Sequence, residues 1–203
     1  MLTRVKICGL TGVGDALQAL AAGADMLGVH FCASPRRVPL ETGRAIADAV
    51  GGRAELVGVF IDPSAEELEE ATDQLALDWV QLHGEEPFDL ALRHRVIKAL
   101  KVKDGVVPAP GPWPDPILLD TWSANRQGGS GRSWDFAAAA GLVGARRVIL
   151  AGGLTGASVG QVVRELRPWG VDVSSGVESR PGVKDAELMR RFVDEVRLAD
   201  AGS

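Results

Sequence analysis

Short runs of β-branched and aliphatic residues alternate with helical patterns from one end of this chain to the other, and that alternation restricts the fold more than any other feature. Val5–Cys8, Met26–Phe31, Glu55–Ile61, Trp79–Leu82, Val96–Leu100, Ile117–Asp120, Arg147–Ala151 and Val171–Ser174 read as eight strands. Between them, Ser64-Ala65-Glu66-Glu67 has the pattern of a capping box, in which a hydroxyl and a carboxylate satisfy the free amides at a helix start. Asp185 reads as the N-cap of a last helix whose apolar stripe is Leu188, Met189, Phe192, Val193 and Val196. Repeated strand–helix units require parallel strands with right-handed crossovers, in an open doubly wound sheet or a closed barrel. Eight units in 203 residues favour the barrel, near its lower size limit. No Gly-x-Gly-x-x-Gly follows the first strand to support an open dinucleotide-binding sheet.

One connection breaks the pattern. Prolines at 108, 110, 112, 114 and 116 remove the amides a helix needs, so the fifth crossover is expected to be an extended loop. The expectation is an α/β fold: a single domain over residues 1–203, a (β/α)8 TIM barrel with an irregular Pro-rich connection in place of the fifth helix. The acidic cluster Glu66, Glu67, Glu69 and Glu70 reads as a solvated first turn favoured by the helix dipole.

Composition narrows the function. A net charge of −5 disfavours a nucleic-acid binder, which needs a basic surface, but leaves room for a small anionic ligand held by local donors. No stretch reaches the roughly 18 apolar residues of a membrane span. Met1-Leu2-Thr3-Arg4-Val5-Lys6 enters a charged strand directly, unlike a signal peptide. Two separated cysteines, Cys8 and Cys32, give no disulfide framework and point to a reducing cytoplasm, and with three scattered histidines they match no zinc spacing. Neither metal nor cofactor is expected.

In a barrel of this kind function collects where strands end, on the C-terminal face. Strand alternation with Val5 and Ile7 against the helices turns Lys6 and Cys8 inward. The same parity sends Gln81, His83, Asp120, Asp172 and Ser174 inward. Lys6 and Asp172 lie on strands that adjoin when the barrel closes, which reads as a structural ion pair rather than a catalytic one. Glycine-bearing segments follow three consecutive strands: Gly128-Gly129-Ser130-Gly131, Gly152-Gly153 and Ser174-Ser175-Gly176. Glycine lets backbone amides approach an anion and serine adds a donor, so the three segments together read as a phosphate cradle rather than as turns alone.

These residues resemble the phosphoribosylanthranilate isomerases of tryptophan biosynthesis. The likeness runs through Lys6-Ile7-Cys8-Gly9, Ser34-Pro35-Arg36, Val57-Gly58-Val59-Phe60, Gln81-Leu82-His83-Gly84 and Leu119-Asp120-Thr121. It continues in Trp134-Asp135-Phe136, Leu150-Ala151-Gly152-Gly153-Leu154, Asp172-Val173-Ser174-Ser175-Gly176-Val177-Glu178 and Pro181-Gly182-Val183-Lys184-Asp185. No single motif is decisive; their ordered combination is.

The resemblance implies a cofactor-free Amadori rearrangement of a phosphorylated aminosugar, with Cys8 as general base and Asp120 as general acid. It implies that Arg36 holds the anthranilate carboxylate and that Gly129, Ser130, Gly131, Gly152, Gly153, Ser174, Ser175 and Gly176 bind the phosphate. His83 reads either as a ligand contact or as packing behind the site. A thiol serving as base should have a lowered pKa, and Lys6 is the candidate cation. The expected state is a monomer or homodimer with no nucleic acid or membrane partner.

Departures cluster in one loop. The segment Val29–Ala33 is about one residue short, and it carries His30 and Cys32 where the family usually shows bulkier apolar residues. The Trp134 and Phe136 aromatics are swapped relative to the common order, and Ser130 replaces a threonine. Two rivals remain: a related aminoaldose isomerase of histidine synthesis, disfavoured because that class carries aspartate at the position of Cys8, and a non-catalytic barrel that only binds a phosphorylated metabolite.

Overall fold

A computed structural model of the protein describes residues 2–89, 94–121 and 134–202. Eight parallel strands close into a barrel in sequence order. They are β1 (Arg4–Cys8), β2 (Met26–His30), β3 (Glu55–Phe60), β4 (Trp79–Leu82), β5 (Val96–Val102), β6 (Ile117–Thr121), β7 (Val148–Leu150) and β8 (Gly170–Val173). A two-residue-register ribbon, β9 (Glu178–Arg180) with β10 (Val183–Lys184), follows β8. Helices α1 (Val13–Ala22), α2 (Leu40–Val50), α3 (Ala65–Leu75), α4 (Ala140–Ala145), α5 (Val159–Leu166) and α6 (Ala186–Ala201) pack around the barrel, with short 3-10 helices at Phe136–Ala139 and Ser175–Val177. Between Val102 and Ile117 the chain makes turns and extended segments without a helix.

Local chemistry explains several boundaries. Ser64 Oγ accepts from Glu67 N–H at 3.1 Å while the Glu67 carboxylate accepts from Ser64 N–H at 2.8 Å, closing the capping box of α3. Asp185 caps α6 by accepting from Leu188 N–H at 2.9 Å. The apolar stripe of α6 is narrower than its spacing suggests. Met189, Phe192, Val193 and Val196 are buried, but Leu188 is 38% exposed, because the helical turn places it at the edge of the stripe.

Alternation divides each strand between two apolar layers. Val5, Ile7, Leu27, Leu56, Leu82, Ile117, Leu119, Val171 and Val173 face the helices. Met26, Val57, Trp79, Ile97, Ala99, Leu118, Ile149 and Ala151 fill the barrel's interior. That inner plug leaves the polar ends of the strands as the floor of whatever lies above it.

Closure runs through β1 and β8, where Lys6 is the register partner of Asp172. The expected ion pair forms, buried, at 2.9 Å. The last helix ties the ends of the chain together. The Asp200 carboxylate accepts from Thr3 N–H and Thr3 Oγ1, and Arg197 donates to Thr3 O at 2.6 Å and pairs with Asp25 at 2.9 Å.

Candidate active site

A cavity of about 380 Å³ opens at the C-terminal ends of the strands. Cys8 of β1, His30 of β2, Gln81 and His83 at the end of β4, Lys101 of β5 and Asp120 of β6 line it. Arg36 reaches in from the β2–α2 loop, and Gly152, Gly153, Ser174, Ser175 and Gly176 close the side formed by the loops after β7 and β8. The structure thus gathers around one space nine of the twelve residues expected to catalyse or bind; the other three, Gly129, Ser130 and Gly131, lie outside the described residues.

Cys8 is 4% exposed, and its register partner is Gly28. A Cβ on Gly28 would stand 2.7 Å from Cys8 Sγ and 3.0 Å from Lys6 Nζ, so the missing side chain is what makes room for both. The sequence-based expectation of a lowered thiol pKa is corrected here. Burial pushes the Cys8 thiol up; the Lys6 ammonium pulls the other way, and Asp172 adds to the upward push. Lys6 itself stays firmly protonated: burial works against its charge, but Asp172 and Cys8 outweigh it.

His30 Nε2 lies 3.3 Å from Cys8 Sγ, and His30 Nδ1 lies 2.9 Å from Ser34 Oγ. Burial, followed by Lys6, Arg36 and Lys184, drives the His30 pKa down to about 3, so the ring is neutral. Cys32 also lines the cavity, but burial lifts its thiol to about 11.

Arg36 is held by a fork. Its Nε and Nη2 donate to the two carboxylate oxygens of Glu178 at 2.6 and 2.7 Å, and Lys184 donates to the same carboxylate at 2.8 Å. All three side chains are buried. Burial opposes the Glu178 charge, yet the bonds from Arg36 and Lys184 hold its carboxyl below the usual range. The hydrogen bonds that Arg36 donates to Glu178 raise the Arg36 pKa, and burial lowers that of Lys184.

Across the cavity, Lys101 Nζ pairs with Asp120 Oδ2 at 2.6 Å and lies 3.3 Å from His83 Nδ1. Register explains the first contact, since Lys101 and Asp120 are Cα partners on β5 and β6. Burial, then Lys101, holds His83 well below its ordinary pKa. The other ring nitrogen, His83 Nε2, lies against the side-chain amide nitrogen of Gln81. Gln81 is 1% exposed, and its Oε1 finds no hydrogen-bond partner among the described residues.

The glycines after β7 and β8 are there for backbone approach. Gly152 has φ +96°, and a Cβ on it would strike Thr121. A Cβ on Gly176 would strike the Leu154 carbonyl. Trp134 Nε1 donates to Ala151 O at 3.0 Å, and its ring packs on Phe136 with centroids 4.7 Å apart, so the swapped aromatics still anchor the chain to the end of β7.

Two residues escaped the sequence-based reading. Lys101 was missed because β5 was read as ending at Leu100; it continues to Val102, and the parity of Ile97 and Ala99 then turns Lys101 inward. His30 stood out only as a departure, although the parity of Met26 and Gly28 already points it to the interior. Among the described residues no group of three His, Cys, Asp or Glu side chains could hold a metal ion, and no helix is long and apolar enough to cross a membrane.

The family model described as N-(5'-phosphoribosyl)anthranilate (PRA) isomerase matches residues 5–195. The N-(5'-phosphoribosyl)anthranilate isomerase of Pelobacter propionicus is 43% identical over 197 residues, covering 95% of this chain and 94% of that protein. The crystal structure of phosphoribosyl anthranilate isomerase from Thermus thermophilus superposes with a TM-score of 0.87 at 39% identity, covering 97% of this chain and 99% of the other. A phosphoribosyl anthranilate isomerase in complex with reduced 1-(o-carboxyphenylamino)-1-deoxyribulose 5-phosphate superposes with a TM-score of 0.81 at 33% identity, with the same coverage. The match over nearly the whole chain and the superposition of the barrel lead to one conclusion: this chain belongs to the N-(5'-phosphoribosyl)anthranilate isomerase family.

Proposed function

We propose that the chain isomerises N-(5'-phosphoribosyl)anthranilate to 1-(o-carboxyphenylamino)-1-deoxyribulose 5-phosphate with Cys8 as base and Asp120 as acid. The observation that carries this reading is the facing of Cys8 and Asp120, from β1 and β6, across one cavity with a cation at one end and a glycine–serine rim at the other. A related structure holds the reduced product, which supports the choice of ligand.

The chemistry divides between the two walls. Asp120 delivers a proton to the ribose ring oxygen, the C1′–O bond breaks, and the anilino nitrogen's lone pair forms the imine. That imine acidifies C2′–H, Cys8 removes the proton, and the electrons move to nitrogen through the new C1′–C2′ double bond. Tautomerisation of this enolamine places a proton on C1′ and leaves the C2′ ketone. The steps only relocate the substrate's own electrons and protons. Each cycle leaves Cys8 protonated and Asp120 ionised, so a proton must return to the carboxylate, which Lys101 contacts.

Binding follows the same polarity. The Arg36 edge not committed to Glu178, Nη1, meets the anthranilate carboxylate. The backbone amides of Gly152, Gly153 and Gly176 with the hydroxyls of Ser174 and Ser175 take the phosphate, joined by Gly129, Ser130 and Gly131. His83 and Gln81 face the sugar between these ends, and the unpartnered Gln81 Oε1 is an acceptor for its hydroxyls.

Purified protein mixed with fresh phosphoribosylanthranilate should quench the substrate's fluorescence rapidly. Cys8→Ser and Asp120→Asn should each lose about 10²–10⁴-fold in turnover while still binding the reduced product. Decay no faster than the spontaneous background in unmodified protein would reject the activity. Full turnover in either variant would reject that residue's role.

A further inference from the structure

We propose that His30 is a positioning residue for Cys8: held from behind by Ser34, its imidazole donates Nε2–H to the sulfur and stabilises the thiolate. This rests on the reading of Cys8 as base and adds a group that the reading does not contain.

We assign the tautomer from the hydrogen bonds around Ser34. Ser34 Oγ accepts from the Arg36 backbone N–H at 3.1 Å. Its own proton is therefore free for the other neighbour, His30 Nδ1, at 2.9 Å. A bare Nδ1 in a neutral ring puts the remaining proton on Nε2, which lies 3.3 Å from Cys8 Sγ. The ring's neutrality, imposed by burial and by Lys6, Arg36 and Lys184 against the weaker pull of Glu178, also excludes a stable imidazolium–thiolate pair. What His30 can contribute is a directed N–H dipole.

Cys8 needs such a donor. Burial and Asp172 from β8 oppose its ionisation, and Lys6 from its own strand and Lys184 from β10 favour it. Cys32, at the end of β2, is held as a thiol. Gly28 leaves the space beneath the sulfur bare, so His30, two residues farther along β2, reaches it directly.

The test uses a Cys32→Ser background, which leaves Cys8 as the single thiol. Iodoacetamide alkylation is followed against pH beside the pH profile of kcat/KM. His30→Leu should raise the alkylation midpoint and the acidic limb of kcat/KM together by about one pH unit and lower kcat near pH 7 about tenfold, with KM within about twofold. His30→Gln, whose amide places an N–H near the same point, should restore most of both. Ser34→Ala releases the tautomer and should shift the midpoint in the same direction by less, which keeps the idea testable if His30→Leu fails to fold.

An unchanged midpoint in the His30 and Ser34 variants overturns the proposal. So does a midpoint that falls, which would make the ring an acceptor stabilising the thiol. If Cys8→Ser remains fully active while His30→Leu still shifts the midpoint, the contact stands and the reading of Cys8 as base fails instead.

Discussion

On the β8–β1–β2 side of the mouth the ion pairs are dry: Lys6 with Asp172 has side chains 1% and 11% exposed, and Arg36 with Glu178 has 6% and 4%. On the β4–β5–β6 side the corresponding pair, Lys101 with Asp120, stands 33% and 18% exposed. A low-dielectric wall fixes geometry and strengthens each dipole, which suits removal of a proton from carbon at a set angle. A wetter wall exchanges protons with solvent, which suits a carboxyl that must be reloaded each turn. The two halves of one rim are thus matched to the two proton transfers proposed for them.

The largest test of that contrast is on the dry side. Glu178→Gln leaves two buried cations without their shared carboxylate and should cost about 3–5 kcal/mol in denaturant unfolding, with a raised KM as Arg36 loses its orientation. A loss under about 1 kcal/mol would show that the fork is no tighter than a surface pair. Acid should act next, through both histidines. Their folded pKa values, about 3 for His30 and well below 6.5 for His83, lie under the unfolded value. The unfolded chain therefore binds more protons in that interval, and stability complete above about pH 6.5 should fall as pH drops towards 3. His83→Gln and His30→Gln should each flatten that slope, read from urea midpoints at stepped pH, and an unchanged slope would place the acid sensitivity elsewhere.

On the wet side the expected change is smaller. Lys101→Met should lower kcat about tenfold with folding stability nearly unchanged, because the pair is already partly exposed to solvent. A stability loss as large as that of Glu178→Gln would erase the difference between the walls. Smallest of all, Ser64→Ala removes the capping box far from either wall, and should cost about 1 kcal/mol with no change in kinetics.

Much of this was legible in the residues. Alternation of period two in β1, β4, β6 and β8 placed Cys8, Gln81, Asp120 and Asp172 correctly, because a strand with one face on helices and the other in a barrel has no freedom of parity. The Lys6–Asp172 pair followed from closure alone. What stayed hidden depends on lengths and distances. Lys101 needed β5 to run two residues farther, and the Arg36–Glu178–Lys184 fork joins a loop after β2 to a ribbon after β8, 142 residues apart for the first pair. The thiol's direction of shift also depended on how completely water is excluded from Cys8, which no motif states.

The clasp of Thr3 to Asp200 has a bearing on how the chain can be cut and rejoined. Thr3, just before β1, and Asp200, near the end of α6, lie side by side at the pole where the strands begin, away from the loops that form the mouth. A short peptide joining them should allow new ends to be opened in another exposed helix–strand connection at the same pole, on the far side of the barrel from the mouth, giving a circularly permuted barrel whose chemistry is intact. The same clasp means that a chain lacking the helix that carries Asp200 has no partner for Thr3, so the start of β1 is secured only once that helix has docked.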